Sequence, residues 1–318
     1  MPSALRSPGA VRYFSVCAAL LALVWLIACP LSQADIHHPK LLLVLKGESN
    51  AYWRQVYQGA QKAAEEAGVT MLHRSTKDDG DIAGQIQILS YHLSQTPPDV
   101  LILAPNSDED LSASVAQYRT RNIPVLVVDS NLAGNAHQGL VATDNYAAGQ
   151  LAARALLATL DLSEKRNIVL LRLRAGNAST DQREQGFLDV LMDYDKIRIA
   201  AAPYVGDDRG AARSEMLRLL KELPTIDGLF TPNESTTIGA LVAIRQSGMS
   251  KRFGFIGFDQ TEELEAAMYA GEISNLVVQN PEYMGYLAVQ RALDLIKGNP
   301  IPAFTDTGVK LLQPLPKP

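Results

Sequence analysis

The sequence predicts an α/β chain made of two lobes, each a parallel sheet flanked by helices. Three observations predict it. Strand-like and helix-like patterns alternate almost without pause along the 318 residues. The strand-like runs are short and apolar throughout, as strands covered on both faces are. The alternation restarts near the middle, which gives too many strands for one compact sheet and suits two.

The elements follow in order. Lys40 to Leu45 is an apolar run after His37-His38-Pro39. Asn50 to Ala67 reads as a helix: Tyr57, Ala60, Ala63, Ala64 and Ala67 keep helical spacing, and Gly68 suits its stop. Val69 to His73 is a strand. Asp81 to Ser94 is a helix with Ile82, Ile86 and Leu89 on one face. Val100 to Ala104 is a strand, Asp110 to Arg121 a helix, Pro124 to Val128 a strand and Leu140 to Ala142 a short extended piece. A helix from about Asn145 to Leu160 leads to the restart. There, strands at Asn167 to Arg172 and Ile197 to Ala201 alternate with helices at Ser179 to Met192 and Arg209 to Leu223. Further strands at Gly228, Phe253 and Ser274 alternate with helices at Glu234 to Ser247, Glu262 to Ala270 and Pro281 to Lys297. No low-complexity linker separates the halves, so short, tight crossovers are expected between them. No short-period repeat is evident.

The first residues look like a secretory leader. Arg6 and Arg12 form a positive region, Tyr13 to Ala28 is almost wholly apolar, and Ser32-Gln33-Ala34 offers small residues for cleavage. Residues 1–34 are therefore set aside from the fold. Leu26-Ile27-Ala28-Cys29 also resembles a lipobox, with Cys29 as the lipidated residue, so two kinds of processing stay open; an uncleaved anchor would need a longer apolar run. Both cysteines, Cys17 and Cys29, lie in this leader. Cleavage after Ala34 leaves none, which excludes disulfides, thiolate catalysis and cysteine-ligated metal. The net charge of −5 becomes −7 once Arg6 and Arg12 are removed. No basic stripe is present, which argues against nucleic acid as a partner.

Four apolar runs end in a single hydrogen-bonding side chain: Asp129, Asn233, Asp259 and Gln279. In open α/β sheets ligands bind beyond the carboxyl ends of the strands, so these four are expected to meet at one cleft. Carboxylates accept from neighbouring hydroxyls, and amides both donate and accept; the set suits a small molecule rich in hydroxyl groups. A turn or a helix cap is the plainer role for such residues. Enzyme signatures are missing. There is no phosphate loop, no dinucleotide turn, no nucleophile elbow and no metalloprotease histidine pair. Asp78-Asp79-Gly80-Asp81 has the look of a calcium loop but lacks the later glutamate, and reads as a turn plus a helix cap. No cofactor and no metal are expected.

The chain resembles type I periplasmic substrate-binding proteins of the ribose-binding class, which deliver sugars to ABC transporters. The likeness runs from about Lys40 to Leu312, with these landmarks in order: Lys46, Ser49-Asn50-Ala51-Tyr52-Trp53, Gly59-Ala60, Ile123-Pro124-Val125 to Asp129, Ala142-Thr143-Asp144-Asn145, Arg183-Glu184-Gln185-Gly186-Phe187, Phe230-Thr231-Pro232-Asn233-Glu234, Gly257-Phe258-Asp259 and Gln279-Asn280-Pro281. The resemblance implies two Rossmann-like lobes that close over a ligand about a three-stranded hinge. The N-terminal lobe would hold residues 39–143 plus 280–306, and the C-terminal lobe 144–279 plus 307–318. The crossings would lie near Thr143, Gln279-Asn280 and Asp306-Thr307.

It also implies the binding residues. Tyr52 and Trp53 would stack on the apolar face of a sugar ring, as flat aromatic faces do. Asn50 would offer its amide or simply cap its helix. Lys46 would donate from the end of the first strand. Asp129, Asn233, Asp259 and Gln279 would take hydroxyls, and the fork of Arg183 would bridge a ring oxygen and an aspartate. Phe187 reads as core, and Asp144-Asn145 as a structural cap. Two positions depart from the ribose pattern: Ser130 stands where ribose binders have arginine, and Asp207 aligns near a position where they have phenylalanine. A sugar or polyol other than ribose is therefore expected. The partner implied is an inner-membrane ABC permease, with a sensor kinase or chemoreceptor as the rival, and the protein is expected to be a periplasmic monomer. A DNA-binding regulator with this core would need a helix-turn-helix where the leader stands.

Overall fold

A computed structural model describes residues 38–48 and 50–314; the leader, with Cys17 and Cys29, lies outside them. The first sheet-and-helix series is β1 (Lys40–Leu45), α1 (Ala51–Ala67), β2 (Thr70–Ser75), α2 (Ile82–Gln95), β3 (Val100–Leu103), α3 (Ser112–Thr120), β4 (Val125–Val128) and β5 (Gly139–Ala142). The second is α4 (Asn145–Leu157), β6 (Arg166–Leu170), α5 (Ala178–Leu191), β7 (Ile197–Ala201), α6 (Arg209–Glu222), β8 (Gly228–Phe230), α7 (Glu234–Gln246), β9 (Gly254–Phe258), α8 (Glu262–Tyr269) and β10 (Asn275–Gln279). The chain ends with α9 (Pro281–Ile296), β11 (Phe304–Asp306) and β12 (Val309–Leu312).

Two six-stranded sheets result, with the same order: β11-β5-β4-β3-β1-β2 and β12-β10-β9-β8-β6-β7. All neighbours are parallel except β12, which runs antiparallel to β10. Successive side chains of a strand point to opposite faces, and both faces are covered. Leu41, Leu43 and Leu45 pack under α1 and α9 with Val56 and Ala288, while Leu42 and Val44 pack on the other face with Leu89 and Tyr118. That double cover is why the runs are apolar throughout. In the second sheet, Ile168 and Leu170 meet Ala152 and Phe187 on one face, and Val169 meets Met216 and Leu241 on the other. Phe187 is core as expected, stacked on Phe230 with ring centroids 4.4 Å apart.

The chain passes between the sheets three times: after β5, after β10 and between β11 and β12. The crossing segments are bonded together. The Thr143 hydroxyl donates to Gln279 Oε1 at 3.0 Å and lies 3.4 Å from the Thr307 hydroxyl, and the Asp144 N–H donates to Asp306 at 3.1 Å. Strands β11 and β12 are absent from the sequence reading. They are short edge strands, and no residue of either is buried, so no apolar run marks them.

Helix α5 carries Arg183, and its placement depends on a close helix crossing. A Cβ at Gly149 of α4 would collide with the backbone carbonyl of Arg183. Only glycine lets α4 and α5 approach this closely, and overpacking a tight contact of this kind costs about 1–3 kcal/mol. Gly149→Ala should lower stability by about that amount in chemical denaturation; an unchanged midpoint would mean that α4 yields freely.

Candidate functional site

The site is built on two equivalent strand tips. Asp129 follows β4 and Asp259 follows β9, the same position in the two sheets. Both take the left-handed backbone, φ 68° and 70°, which aspartate tolerates better than most residues. Each N–H donates to the strand alongside, Asp129 to Val141 O at 3.0 Å and Asp259 to Val277 O at 2.9 Å. The turn sends the chain away from the sheet and leaves both carboxylates buried between the lobes.

On the first lobe Asp129 has three donors around it. Its Oδ1 accepts the Tyr52 hydroxyl at 2.7 Å. Its Oδ2 lies 3.0 Å from Lys46 Nζ and accepts the Ser130 hydroxyl at 2.9 Å. Lys46, directly after β1, is 2 % exposed, so it is not a solvated lysine; it also donates to Ser130 and sits 5.7 Å from the centre of the Trp53 ring. Burial alone would raise the Asp129 carboxyl. The charges of Lys46 and Arg183 and the hydroxyl of Tyr52 outweigh it and hold the group below the usual carboxylate range.

On the second lobe Asp259 has no cation in contact among the described residues. Its Oδ2 accepts the Glu234 N–H at 2.8 Å and its Oδ1 accepts Gln279 Nε2 at 2.7 Å. Burial pushes its pKa up to about 6, with Arg183 and Gln279 offsetting only part of the effect. Arg183 is buried, with its guanidinium 3.9 Å from the Phe258 ring centre. Its Nε donates to Asn145 Oδ1 and its Nη1 to the Pro232 carbonyl, both at 2.8 Å. The anticipated bridge to an aspartate is thus replaced by one to an amide and a carbonyl. Asn233 caps α7, accepting the Thr236 N–H at 3.1 Å.

These side chains enclose a cavity of about 30 Å³. No cluster of histidine, cysteine or acidic residues that could hold a metal ion exists among the described residues.

Comparison with known proteins bears on what such a cleft is for. The family model of the periplasmic binding protein domain matches residues 41–300. The chain belongs to the periplasmic binding protein family. Among solved structures it is similar to the periplasmic component of an ABC-type sugar transport system from Hahella chejuensis. That likeness has a TM-score of 0.86 at 90% identity and covers 86% of this chain and 100% of the other. It is also similar to a carbohydrate transporter solute-binding protein from Agrobacterium radiobacter, solved with D-arabinose: TM-score 0.83, 28% identity, 88% of this chain and 95% of that one. The ribose import binding protein of Haemophilus influenzae is 24% identical over 288 residues, 90% of this chain and 96% of the relative.

In this periplasmic binding protein, nine of the residues nominated from sequence line the cavity: Lys46, Asn50, Tyr52, Trp53, Asp129, Arg183, Asn233, Asp259 and Gln279. Ser130 lies against it, bonded to Lys46, Asp129 and Ser179. The Arg-to-Ser change does not strip the site of its cation, because Lys46 lies beside Asp129. Asp207 is not in the cavity. It lines a neighbouring one, and its carboxylate is held 2.8 Å from Arg174 Nε; it precedes α6, whose cap is Asp208. The sequence reading missed Asp79, Leu173, Asn177, Ser179, Thr180 and Glu234. Asp79, Leu173 and Asn177 lie on the loops after β2 and β6, three or more residues beyond the strand, and Ser179 and Thr180 stand in the first turn of α5, so the strand-tip rule does not reach them.

The lobes are in direct contact. Glu234, from the second lobe, accepts the N–H groups of Ala51 at 3.3 Å and Tyr52 at 3.1 Å, while Asn50 accepts that of Trp53 at 3.2 Å. The first three N–H groups of α1, which have no partner within the helix, are thereby satisfied, two of them from across the cleft. An anion is favoured at that helix end. The Ser130 and Ser179 hydroxyl oxygens lie 2.9 Å apart, the Asp108 N–H donates to Gly176 O at 3.2 Å, and Arg174 donates to the Asn106 carbonyl.

Two outcomes follow from this geometry. Glu234→Ala should shift the balance toward separated lobes by roughly 1–3 kcal/mol, read as a larger radius of gyration in solution scattering; an unchanged radius would rule out the latch. Asp259 binds its proton more tightly folded, at about 6, than unfolded, at about 3.9. Its contribution to stability is therefore full below about pH 4 and is lost as pH rises through about 6. The decline in unfolding free energy between those values, read from chemical denaturation, should be smaller in Asp259→Asn than in the wild type, by on the order of 2–3 kcal/mol. Parallel pH profiles would contradict it.

Proposed function

We propose that the protein is the solute-binding component of an ABC transporter, and that it holds a sugar or related polyhydroxylated molecule between its lobes. The observation that carries this is the convergence of hydrogen-bonding side chains from the strand tips of both sheets, with two aromatic rings, on one cavity. The relatives solved with D-arabinose or named for ribose import agree with it. The cavity of about 30 Å³ has room for no more than a few waters, so a sugar enters when the lobes part. Closure then buries it. Hydroxyls of the ligand take up Asp129, Asn233, Asp259, Gln279 and Arg183 in a desolvated space, where each bond counts for more. Tyr52 and Trp53 supply faces for the apolar side of the ring. No covalent step is involved. The bound, closed form presents both lobes in one arrangement, and an inner-membrane permease reads that population shift.

The same reading places the protein in the periplasm as a monomer, exported by residues 1–34 and cleaved after Ala34. The mass of the exported chain separates a start at Asp35 from a lipidated start at Cys29.

A thermal-shift screen against D-arabinose, D-ribose, other aldoses and polyols tests the function. A true ligand should raise the melting temperature by mass action. Asp259→Ala or Arg183→Ala should then weaken its binding by about 1–3 kcal/mol, because a buried polar partner is left unpaired. No shift with any member of the panel, or undiminished binding by both variants, would overturn the proposal.

A further inference from the structure

Asp79 stands on the loop after β2, at the wall shared by the central cavity and a neighbouring one of about 570 Å³. It is not the turn filler that its Asp-Asp-Gly-Asp setting suggests; that setting's helix cap is Asp81, which accepts the Gly84 N–H at 2.8 Å. Asp79 Oδ2 accepts the Trp53 indole N–H at 3.2 Å and the Asn50 side-chain amide at 3.3 Å. Its Oδ1 is shielded from solvent without a hydrogen-bond partner, pressed against Gly47, where any Cβ would displace it. One carboxylate therefore grips two ligand-facing residues from behind.

We propose that Asp79 is a positioning residue of the binding site, fixing the plane of the Trp53 ring and the direction of the Asn50 amide so that α1 offers the ligand one preformed surface. The inference rests on the reading of the cleft as a sugar site. Free to rotate, the indole would lose the fixed face that stacking needs, and the amide would be held only by its cap to the Trp53 N–H. Burial raises the Asp79 carboxyl above its ordinary range. Of the groups around it, Lys46 after β1 lowers it, while Asp129 at the tip of β4 raises it. Across the cleft Asp207 also faces Asp79, itself paired with Arg174.

Trp53 reports on the contact. The chain has two tryptophans, and the other, Trp25, is in the leader; a Trp53→Phe variant supplies any background. Three exported proteins are compared: wild type, Asp79→Ala and Asp79→Asn. Asp79→Ala should move the Trp53 emission to longer wavelength and open it to acrylamide. It should also weaken binding of the tightest sugar from the panel about tenfold. Asp79→Asn keeps an acceptor oxygen, so it should retain emission and affinity within about threefold and lack the pH-dependent step in emission that is expected of the wild type in the acid range. Unchanged emission and quenching in Asp79→Ala, or a pH step that survives in Asp79→Asn, would overturn the inference even where one variant folds poorly. Wild-type sugar binding that Asp79→Ala leaves intact would refute the positioning role alone. A wild type that binds no sugar while Asp79→Ala shifts the emission would refute the sugar site and leave the hold on Trp53 standing.

Discussion

Two carboxylates taken out of water are the constraint on which the cleft depends. A buried carboxylate is tolerated only when it is paired and hydrogen-bonded, and Asp129 and Asp259 are placed by their strands where water is excluded. The surrounding side chains are arranged accordingly, and they solve the problem differently in the two lobes. Asp129 is neutralised at contact distance by Lys46. Asp259 relies on a backbone N–H and an amide, with Arg183 acting through charge without contact. The first carboxylate is therefore firmly ionised and the second is poised near pH 6. A hydroxyl placed between them would meet a pure acceptor on one side and a group close to gaining a proton on the other.

The two lobes are the same construction made twice, and the repetition is what aims the carboxylates at each other. Identical strand orders put β4 and β9 in corresponding places, so the turns after them fall on the same side of each sheet. Helices α4 and α9 are exchanged: α9 follows the second sheet but packs on the first, and α4 follows the first but packs on the second. The exchange puts the crossings beside the site. Gln279 belongs to both, since its Oε1 accepts the Thr143 hydroxyl at a crossing while its Nε2 holds Asp259. Gln279 thus links a crossing directly to the cleft.

The contacts between the lobes explain how a polar cleft can close on itself. Glu234 and Asn50 complete the first turn of α1, Ser130 meets Ser179, and Arg174 reaches the Asn106 carbonyl. Each such bond replaces one to water and is worth little net, but together they leave few buried groups unsatisfied. Asp79 Oδ1 is one of the exceptions. Anything that enters the cleft must displace part of this network and do better than it, so hydrogen-bond geometry weighs more there than apolar contact.

The sequence by itself determined the α/β order, most element ends to within a residue or two, and the four strand-tip residues Asp129, Asn233, Asp259 and Gln279. These were legible because a strand covered on both faces must be apolar along its length, so the first polar residue after it marks the tip. The tertiary structure alone decided the rest. Edge strands β11 and β12 carry no buried run and left no pattern. Asp207 has the residue type of a site residue, but Arg174 holds it outside the central cavity. Glu234 and Asp79 looked like a neighbour of a cap and a turn, because their partners, the N–H groups of α1 and the indole of Trp53, come from other segments of the chain. Local composition records which side chains can accept a hydrogen bond, but which donor arrives is settled only when the sheets are assembled and the lobes meet.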